Sequence, residues 1–437
     1  MNEHKKRGTS LEQVFNEIVH IMRNDYAGCY DKIGCDRPDE YIHEIRRLQA
    51  EQLLTDEAVV DLVQDYLMDW NDPHLFFNAI QNKSVKKRHR GFDVRRFEDK
   101  LYVTSAQQES QLQKGMYFTS LGDIPVLELK EIHHRYVNER TAEREKWTKI
   151  LALYDKGEVV TEAGSRQTIN LRWFDYPKWI PTYSVQEQTP DTVMFKITDF
   201  ANPDAIVNLI RNNEQLLSKA KHWIVDVRVN KGGSDSSFFP LLPYLLPPEG
   251  TELYDPTEKM LFHNTTSNAE RAVYEIERQL TFIDDKQSRF SVELFLREWK
   301  KHKGKGFVEF DFRELLPENT FVKGFPQPQK VVVLTDYTCA SSGDSFIEMC
   351  KKSSKVTVIG RPTAGVNDYA NLLSQTWNDT FELSYPTSRL SRIDEGRGMT
   401  RKGIEPHVYI PWTPEHLKRD VDMEKAFELL RTTTTAI

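Results

Sequence analysis

The sequence is 437 residues long and carries 59 Lys and Arg against 66 Asp and Glu, a formal net charge of -7. A chain of this length exceeds what one hydrophobic core usually serves, so two or three domains are expected. Its apolar runs are far shorter than the ~20 residues of a membrane-spanning helix. Its net negative charge also lacks the excess of basic residues that is typical of nucleic-acid-binding domains. We therefore expect neither a membrane nor a nucleic acid as partner.

The four cysteines are too few for a disulfide framework, and their spacing fits no paired zinc motif. They indicate reduced thiols, and we expect no metal and no other cofactor. The first residues, Met1 to Arg7, are polar and lead into an amphipathic helix without the apolar segment of a secretory signal. These features predict a cytoplasmic location.

Residues 1–90 predict an N-terminal helical subdomain. Ser10 and Gln13 have the spacing of a capping box, and apolar residues then recur at helical intervals. Thr55 begins a second helix, which we expect to end before Pro73, because proline lacks a backbone donor and disfavours helix at the preceding residue. His74 is thereby placed just after this helix.

The predicted secondary structure changes twice after this region. Residues 91–190 read as short strands and turns around a charged helical stretch, which predicts a small mixed α+β module. Strand and helix signals alternate through 191–437, which favours an α/β domain with a largely parallel sheet. A charged stretch at about 250–325 has a single apolar stripe and predicts a helical insertion in that domain.

A run of basic residues lies at the start of the predicted module. Two interpretations fit it: a solvated loop with extended side chains, or a basic rim that attracts a carboxylate or an acidic polypeptide. The run consists of Lys83, Lys86, Lys87, Arg88, Arg90, Arg95 and Arg96.

The segment from Val331 to Asp344 carries the strongest chemical signal. Its first four residues are apolar without polar alternation, which predicts a buried strand, and a helical pattern follows after Ser341 and Ser342. A serine at a helix N-terminus lies where free N–H groups and the helix dipole stabilise a forming oxyanion. The alternative is that Ser341 only caps the helix, with Asp344 as its capping-box partner. Cys339 lies beside this serine, but a lone cysteine is more often a small core residue than a nucleophile.

A second unusual segment runs from Trp223 to Gly233. An apolar strand ends there in polar residues and then in Gly232 and Gly233. Glycines at the carboxyl end of a buried strand allow backbone N–H groups to approach a ligand closely, although a simple strand-to-helix turn would look the same.

Taken in order, four segments resemble the motifs of the tail-specific, or C-terminal processing, serine peptidase family. The resemblance covers about residues 190 to 430 and implies a ClpP/crotonase-like core. It also implies Ser341 as nucleophile and the N–H groups of Gly233 and Ser342 as the oxyanion hole. The segments are Asp226-x-Arg228-x-Asn230-x-Gly232-Gly233, the turn from Thr338 to Asp344, Gly360-Arg361-Pro362-Thr363-Ala364-Gly365, and Gly403-Ile404-Glu405-Pro406.

The sequence departs from the members of that family that use a Ser-Lys dyad. Their lysine lies in the loop after Gly365, where this chain reads Val366-Asn367-Asp368-Tyr369. The chain instead resembles the histidine-using branch, which includes the tricorn core protease, and this implies His74 as the general base. Imidazole suits that role because its ordinary pKa lies near neutrality. The candidates for an acid that orients the ring are Asp72, Glu395 and Glu405.

The sequence thus predicts a serine endopeptidase that hydrolyses protein or peptide substrates through an acyl-enzyme, without metal or nucleotide. Two alternatives remain: a non-catalytic peptide-binding member of the family, and an esterase or amidase for small substrates. The module at 91–190 is at most PDZ-like. The expected partner is a polypeptide, and a homo-oligomer is compatible with the sequence.

Overall fold

The structure is a computed structural model, and it describes residues 10–80, 88–253, 255–284, 286–315 and 320–431. Within these ranges the α-helices are α1 (Leu11–Asn24), α2 (Pro38–Ala50), α3 (Asp56–Met68), α4 (Val126–Ile132), α5 (Thr148–Ala152), α6 (Pro203–Asn212), α7 (Glu214–Lys219), α8 (Leu242–Leu245), α9 (Thr266–Leu280), α10 (Lys286–Lys301), α11 (Ser342–Lys351) and α12 (Val421–Arg431). No helix in these ranges has the length and apolar character needed to cross a bilayer.

The strands in the same ranges are β1 (Phe76–Ala79), β2 (Arg88–His89), β3 (Asp93–Phe97), β4 (Lys100–Ser105), β5 (Tyr117–Leu121), β6 (Ile124–Pro125), β7 (Lys156–Val160), β8 (Arg166–Asn170), β9 (Phe174–Asp175), β10 (Tyr183–Thr189), β11 (Thr192–Ile197), β12 (His222–Asp226), β13 (Thr251–Glu252), β14 (Met260–Asn264), β15 (Gly306–Glu309), β16 (Phe321–Val322), β17 (Lys330–Thr335), β18 (Val356–Gly360), β19 (Tyr369–Trp377), β20 (Phe381–Leu390) and β21 (Val408–Tyr409).

The chain forms two compact units, each assembled from segments that are distant in sequence. Unit 1 comprises Met1–Val85, Tyr254–Thr320 and Val366–Thr400; unit 2 comprises Lys86–Leu253, Phe321–Gly365 and Arg401–Ile437. The predicted boundaries at 90 and 190 follow chain order, whereas these units do not. The segment predicted as an insertion groups with the N-terminal helices.

Unit 1 packs helices against an antiparallel sheet. Helix α1 begins at the predicted capping box, where the Gln13 N–H donates to Ser10 Oγ and the Ser10 N–H donates to Gln13 Oε1. Helix α3 begins after Thr55 and ends before Pro73, as predicted. The sheet has the order β1-β20-β14-β15, and β19 also pairs with β20. Its core includes Phe15 and Trp70, both about 1% exposed.

Unit 2 contains a small antiparallel sheet and a larger parallel one. The small sheet has the order β3-β4-β5-β7-β8, with β6 paired to β5, and encloses its own core around Phe118 and Trp147. The predicted module 91–190 also includes β10, but this strand pairs with β11 in the larger sheet.

The larger sheet has the order β10-β11-β12-β17-β18-β21, and every neighbouring pair except β10 with β11 is parallel. Strand β17 lies inside it. Val331 and Val333 pack on the same side as α11, while Val332 and Leu334 pack on the side of α12. Coverage of both faces explains the apolar run without alternation, and the predicted α/β class is confirmed.

A buried network of ion pairs ties the ends of these strands to the last helix. The Arg361 guanidinium, which follows β18, lies 2.7 Å from Asp422 and 3.0 Å from Asp336, and Arg95 also contacts Asp336 at 3.0 Å. Burial alone would raise the pKa of Asp336, but the charges of Arg95 and Arg361 outweigh it and lower the pKa. These groups depend on one another, because each would be an unpaired buried charge alone.

We expect Arg361→Met to lower the free energy of unfolding by about 3–5 kcal/mol, because Asp336 and Asp422 lose their shared cation while remaining buried. Urea unfolding followed by circular dichroism measures the effect. Arg313→Met is the control: it also removes an Arg–Asp pair, but its side chain is 85% exposed, so a change below about 0.5 kcal/mol is expected. Equal losses in the two variants would contradict the role of the buried network.

Candidate active site

The four segments singled out in the sequence meet at the carboxyl ends of β12, β17 and β18. Thr338 Oγ1 donates to the Arg228 carbonyl at 2.5 Å, and the Ala340 N–H donates to the Asn230 carbonyl at 3.0 Å. These bonds join the turn before α11 to the loop after β12. Parallel strands place such loops side by side at one edge of the sheet.

The other two segments join the same network. The Ala364 N–H donates to the Cys339 carbonyl at 2.7 Å, which attaches the loop after β18 to the turn before α11. Thr363 in turn accepts the Ile404 N–H on its hydroxyl at 2.8 Å and donates its own N–H to the Ile404 carbonyl at 3.2 Å. Segments separated by up to about 180 positions thus form one connected site.

Ser341 occupies the turn immediately before α11 with φ 57° and ψ -120°. A non-glycine residue in this region of backbone space costs about 1–3 kcal/mol and persists only where its surroundings hold it. Asp344 supplies that support, since one of its carboxylate oxygens accepts the Ser341 N–H and the other accepts the Gly365 N–H, both at 2.9 Å. Asp344 is completely buried.

Ser341 and its neighbour Ser342 differ in access. Ser341 is half-buried, whereas only 4% of Ser342 is exposed. The strained backbone therefore presents the side chain of Ser341, and Ser342 contributes its backbone N–H at the helix N-terminus.

The glycine loop offers a second backbone donor beside this serine. Asn230, which is fully buried, accepts the Gly232 N–H on Oδ1 at 2.9 Å and donates from Nδ2 to the Ile197 carbonyl. The Gly233 N–H and the Ser342 N–H have no acceptor among the described residues. One unused donor therefore belongs to the glycine loop and the other to the first residue of α11.

Gly232 lies directly against the serine turn. A Cβ atom built on it would stand 2.6 Å from Ser341 Cβ and 3.1 Å from the Ser342 nitrogen, closer than real side chains approach. Its φ of 80° is also one that other residues rarely adopt. The sequence places glycine here because the two loops touch through backbone atoms.

Cys339, the other potential nucleophile in this turn, is fully buried, and burial raises the pKa of its thiol well above the ordinary value. Because the thiolate is the reactive form, this residue is a core side chain rather than a nucleophile.

His74 belongs to unit 1 and lies between α3 and β1, with about 9% of its surface exposed. Its Nδ1 atom is 2.7 Å from the Tyr369 carbonyl oxygen. A carbonyl only accepts, so Nδ1 must carry the proton, and in the neutral ring the lone pair is then on Nε2. This is the tautomer that a general base requires.

Asp72 supports the backbone of His74 rather than its ring. Its Oδ1 accepts the His74 N–H at 2.9 Å, and its Oδ2 accepts the Tyr26 hydroxyl at 2.6 Å. Lys32 donates to the same hydroxyl at 2.7 Å, and burial lowers the pKa of Lys32. Burial and the nearby Asp72 raise the pKa of Tyr26 well above its usual value, so Tyr26 stays a neutral donor.

The two remaining acid candidates are at exposed positions. Glu395 pairs with Arg397 at 2.6 Å in unit 1, and Glu405 lies in unit 2 with an exposed side chain. The partner that the structure gives to the His74 ring is therefore the Tyr369 carbonyl, which sequence reasoning did not find. No sequence signal could have found it, because every residue carries a carbonyl.

Comparison with known proteins identifies the class. The structure of mature CPAF complexed with lactacystin is 14% identical, covers 96% of this chain and 97% of its own, and gives a TM-score of 0.66. Mature CPAF alone is also 14% identical, with 96% of both chains covered and a TM-score of 0.61. At this identity the likeness shows a shared fold. Among curated proteins, none matches the chain.

A sequence model of peptidase family S41 matches residues 191–410, which is half of the chain. The chain therefore belongs to peptidase family S41 and is a serine-type peptidase, which confirms the resemblance to the tail-specific peptidases. The photosystem II D1 C-terminal processing protease is also similar, at 11% identity over 93% of this chain and 94% of its own, with a TM-score of 0.42.

We expect Gly232→Ala to destabilise the protein by about 2–4 kcal/mol, since the new methyl group combines an unfavourable φ with overlap on Ser341. Gly164→Ala is a matched control: Gly164 has φ 81°, close to that of Gly232, but no atom lies within 4 Å of its ideal Cβ. This variant should lower the free energy of unfolding by only about 1 kcal/mol. Thermal or urea unfolding of both variants measures the difference, and equal losses would show that the overlap contributes nothing.

Proposed function

We propose that this peptidase is an endopeptidase that cleaves polypeptides through an acyl-enzyme formed on Ser341. The observation that carries the proposal is the arrangement at the N-terminus of α11. A serine is held there at positive φ, next to two backbone donors, on Gly233 and Ser342, that have no acceptor among the described residues. Such donors stabilise the tetrahedral oxyanion, because its charge develops where they point.

In the proposed mechanism, His74 Nε2 takes the proton of Ser341 Oγ as this oxygen attacks the carbonyl carbon of the scissile peptide bond. The resulting oxyanion accepts hydrogen bonds from the Gly233 and Ser342 N–H groups. The imidazolium then gives its proton to the leaving amine, which departs and leaves an ester on Ser341. A water molecule, deprotonated by the same imidazole, hydrolyses this ester and restores the serine.

The surroundings of His74 support its place in this scheme. The Tyr369 carbonyl fixes the proton on Nδ1, and its bond strengthens when the ring becomes positively charged. The Asp72 carboxylate holds the backbone of His74 at the same time. We propose that these two groups together do the orienting that a third acidic member performs in other serine peptidases, and that no metal takes part.

Ser341→Ala should reduce cleavage of an unfolded protein such as casein by about 10⁴-fold or more, because it removes the oxygen on which the proposed ester forms. A fluorophosphonate probe followed by peptide mass spectrometry should label residue 341 in the wild type. Ser342→Ala is the control, since it removes the neighbouring hydroxyl but keeps the backbone N–H; it should still be labelled. Labelling at another residue, or full cleavage by Ser341→Ala, would contradict the proposal.

His74→Ala should lower kcat for peptide cleavage by about 10³-fold or more with the fold intact by circular dichroism, because Ser341 loses its general base. His43→Ala, which removes an exposed histidine from α2 of the same unit, should retain activity. Comparable activity of the two variants would exclude His74 as the base. A wild type that binds peptides but is not labelled at all would favour a non-catalytic binding protein, and cleavage of small esters alone would favour an esterase.

A further inference from the structure

Unit 2 contains a large cavity that the proposed mechanism does not use. Its volume is about 880 Å³, toward the upper end of the roughly 300–1,000 Å³ typical of ligand sites. The small β module, the larger sheet and the segment before α12 all contribute to its walls. Thr338 and Lys231 line it as well, so the cavity borders both loops that flank Ser341.

The lining carries an excess of positive charge. It includes eleven lysine and arginine side chains against six carboxylates, in a chain whose net charge is -7. Five of the six acids already form ion pairs with arginines. Arg228 pairs with Asp226, Asp420 and Asp422, Arg361 pairs with Asp336 and Asp422, Arg95 pairs with Asp336, and Arg96 pairs with Glu145. Asp93 is the sixth, and its charge acts on Lys231.

Five of the lining cations, by contrast, form no ion pair with any described residue. They are Arg88, Lys114, Lys146, Lys196 and Lys231. Lys146 and Lys231 are exposed, so a carboxylate can approach both ammonium groups. The basic run in the sequence contributes Arg88, Arg90 and Arg95 to the same walls, Arg96 pairs with Glu145, and Lys83, Lys86 and Lys87 lie outside the described residues.

Exposed aromatic rings complete the lining. Trp173, Tyr176 and Trp179 are each between 44% and 53% exposed, although large aromatic side chains are usually covered. Lys231 Nζ lies 3.5 Å from the centre of the Trp179 ring, and the Arg90 guanidinium lies 3.8 Å from that of Trp173. Rigid rings next to cations provide contact area as well as charge.

We propose that this cavity is a docking site for an acidic segment of a polypeptide substrate, next to the bond that Ser341 cleaves. The inference rests on the proposed function, because it names the class of substrate that the same site would take. A polypeptide fits better than a nucleic acid, although cations and aromatic rings also suit single-stranded nucleic acids, because the cavity adjoins the serine turn of a peptidase.

The test uses the full-length Ser341→Ala protein, which separates binding from cleavage. A fluorescein-labelled peptide in which glutamate alternates with alanine and phenylalanine is titrated by fluorescence anisotropy, beside the same peptide with glutamine in place of glutamate. We expect tighter binding of the glutamate peptide, and the combined Lys114→Glu, Lys146→Glu and Lys196→Glu variant should bind it at least about tenfold more weakly. The difference in affinity between the glutamate and glutamine peptides should shrink as NaCl rises from about 50 mM to about 500 mM, because salt screens the attraction between charges.

A charge-matched control combines Lys156→Glu, Lys219→Glu and Lys221→Glu, which change three lysines of unit 2 that do not line the cavity. It should keep the affinity of the parent protein. Equal binding of the glutamate and glutamine peptides, equal loss in both triple variants, or tighter binding of an oligothymidine than of the acidic peptide would overturn the inference. Cleavage is measured separately with Ser341 intact: binding without cleavage would overturn the proposed function alone, and cleavage without preference for glutamate would overturn the docking site alone.

Discussion

The buried carboxylate of Asp344 is the constraint on which the site depends. One of its oxygens accepts the Ser341 N–H and the other accepts the Gly365 N–H, so a single charged group joins the serine turn to the loop after β18. Hydrogen bonds to a charged acceptor are about twice as strong as neutral ones. Asp344 also stands in the first turn of α11, where the helix dipole favours negative charge. Together these interactions offset the unfavourable φ of Ser341.

The parallel sheet determines which groups surround that serine. Because β12, β17 and β18 run in the same direction, their following loops meet at one edge, and each loop contributes something different. The first brings glycines, which allow backbone contact with Ser341; the second brings the serine; the third anchors Asp344. Asn230 keeps the Gly232 N–H occupied, whereas the Gly233 N–H has no acceptor among the described residues. The site is therefore mostly backbone, positioned by a few buried polar side chains.

Because the site consists mostly of backbone groups, only part of the fold and of the site could be predicted from the sequence. The run from Val331 to Leu334 predicted a buried strand correctly because both faces of β17 are covered, and the small residues after it marked the turn. The pairing of β14 with β20 could not be predicted, since these antiparallel partners lie more than a hundred positions apart and leave no local pattern. Strand β10 was predicted as part of the small module, but it pairs with the adjacent strand β11 and so belongs to the larger sheet. Local signals located the serine turn, while long-range contacts determined its support.

The loop after Gly365 shows how one position in a family can serve a different purpose. In members with a Ser-Lys dyad it holds the lysine base, whereas here it reads Val366-Asn367-Asp368-Tyr369. Its last residue instead directs a carbonyl at His74 Nδ1. A carbonyl fixes the same tautomer as a carboxylate would, because both only accept, and it adds no charge that would have to be buried. In the proposed mechanism the loop thus orients the base instead of supplying it.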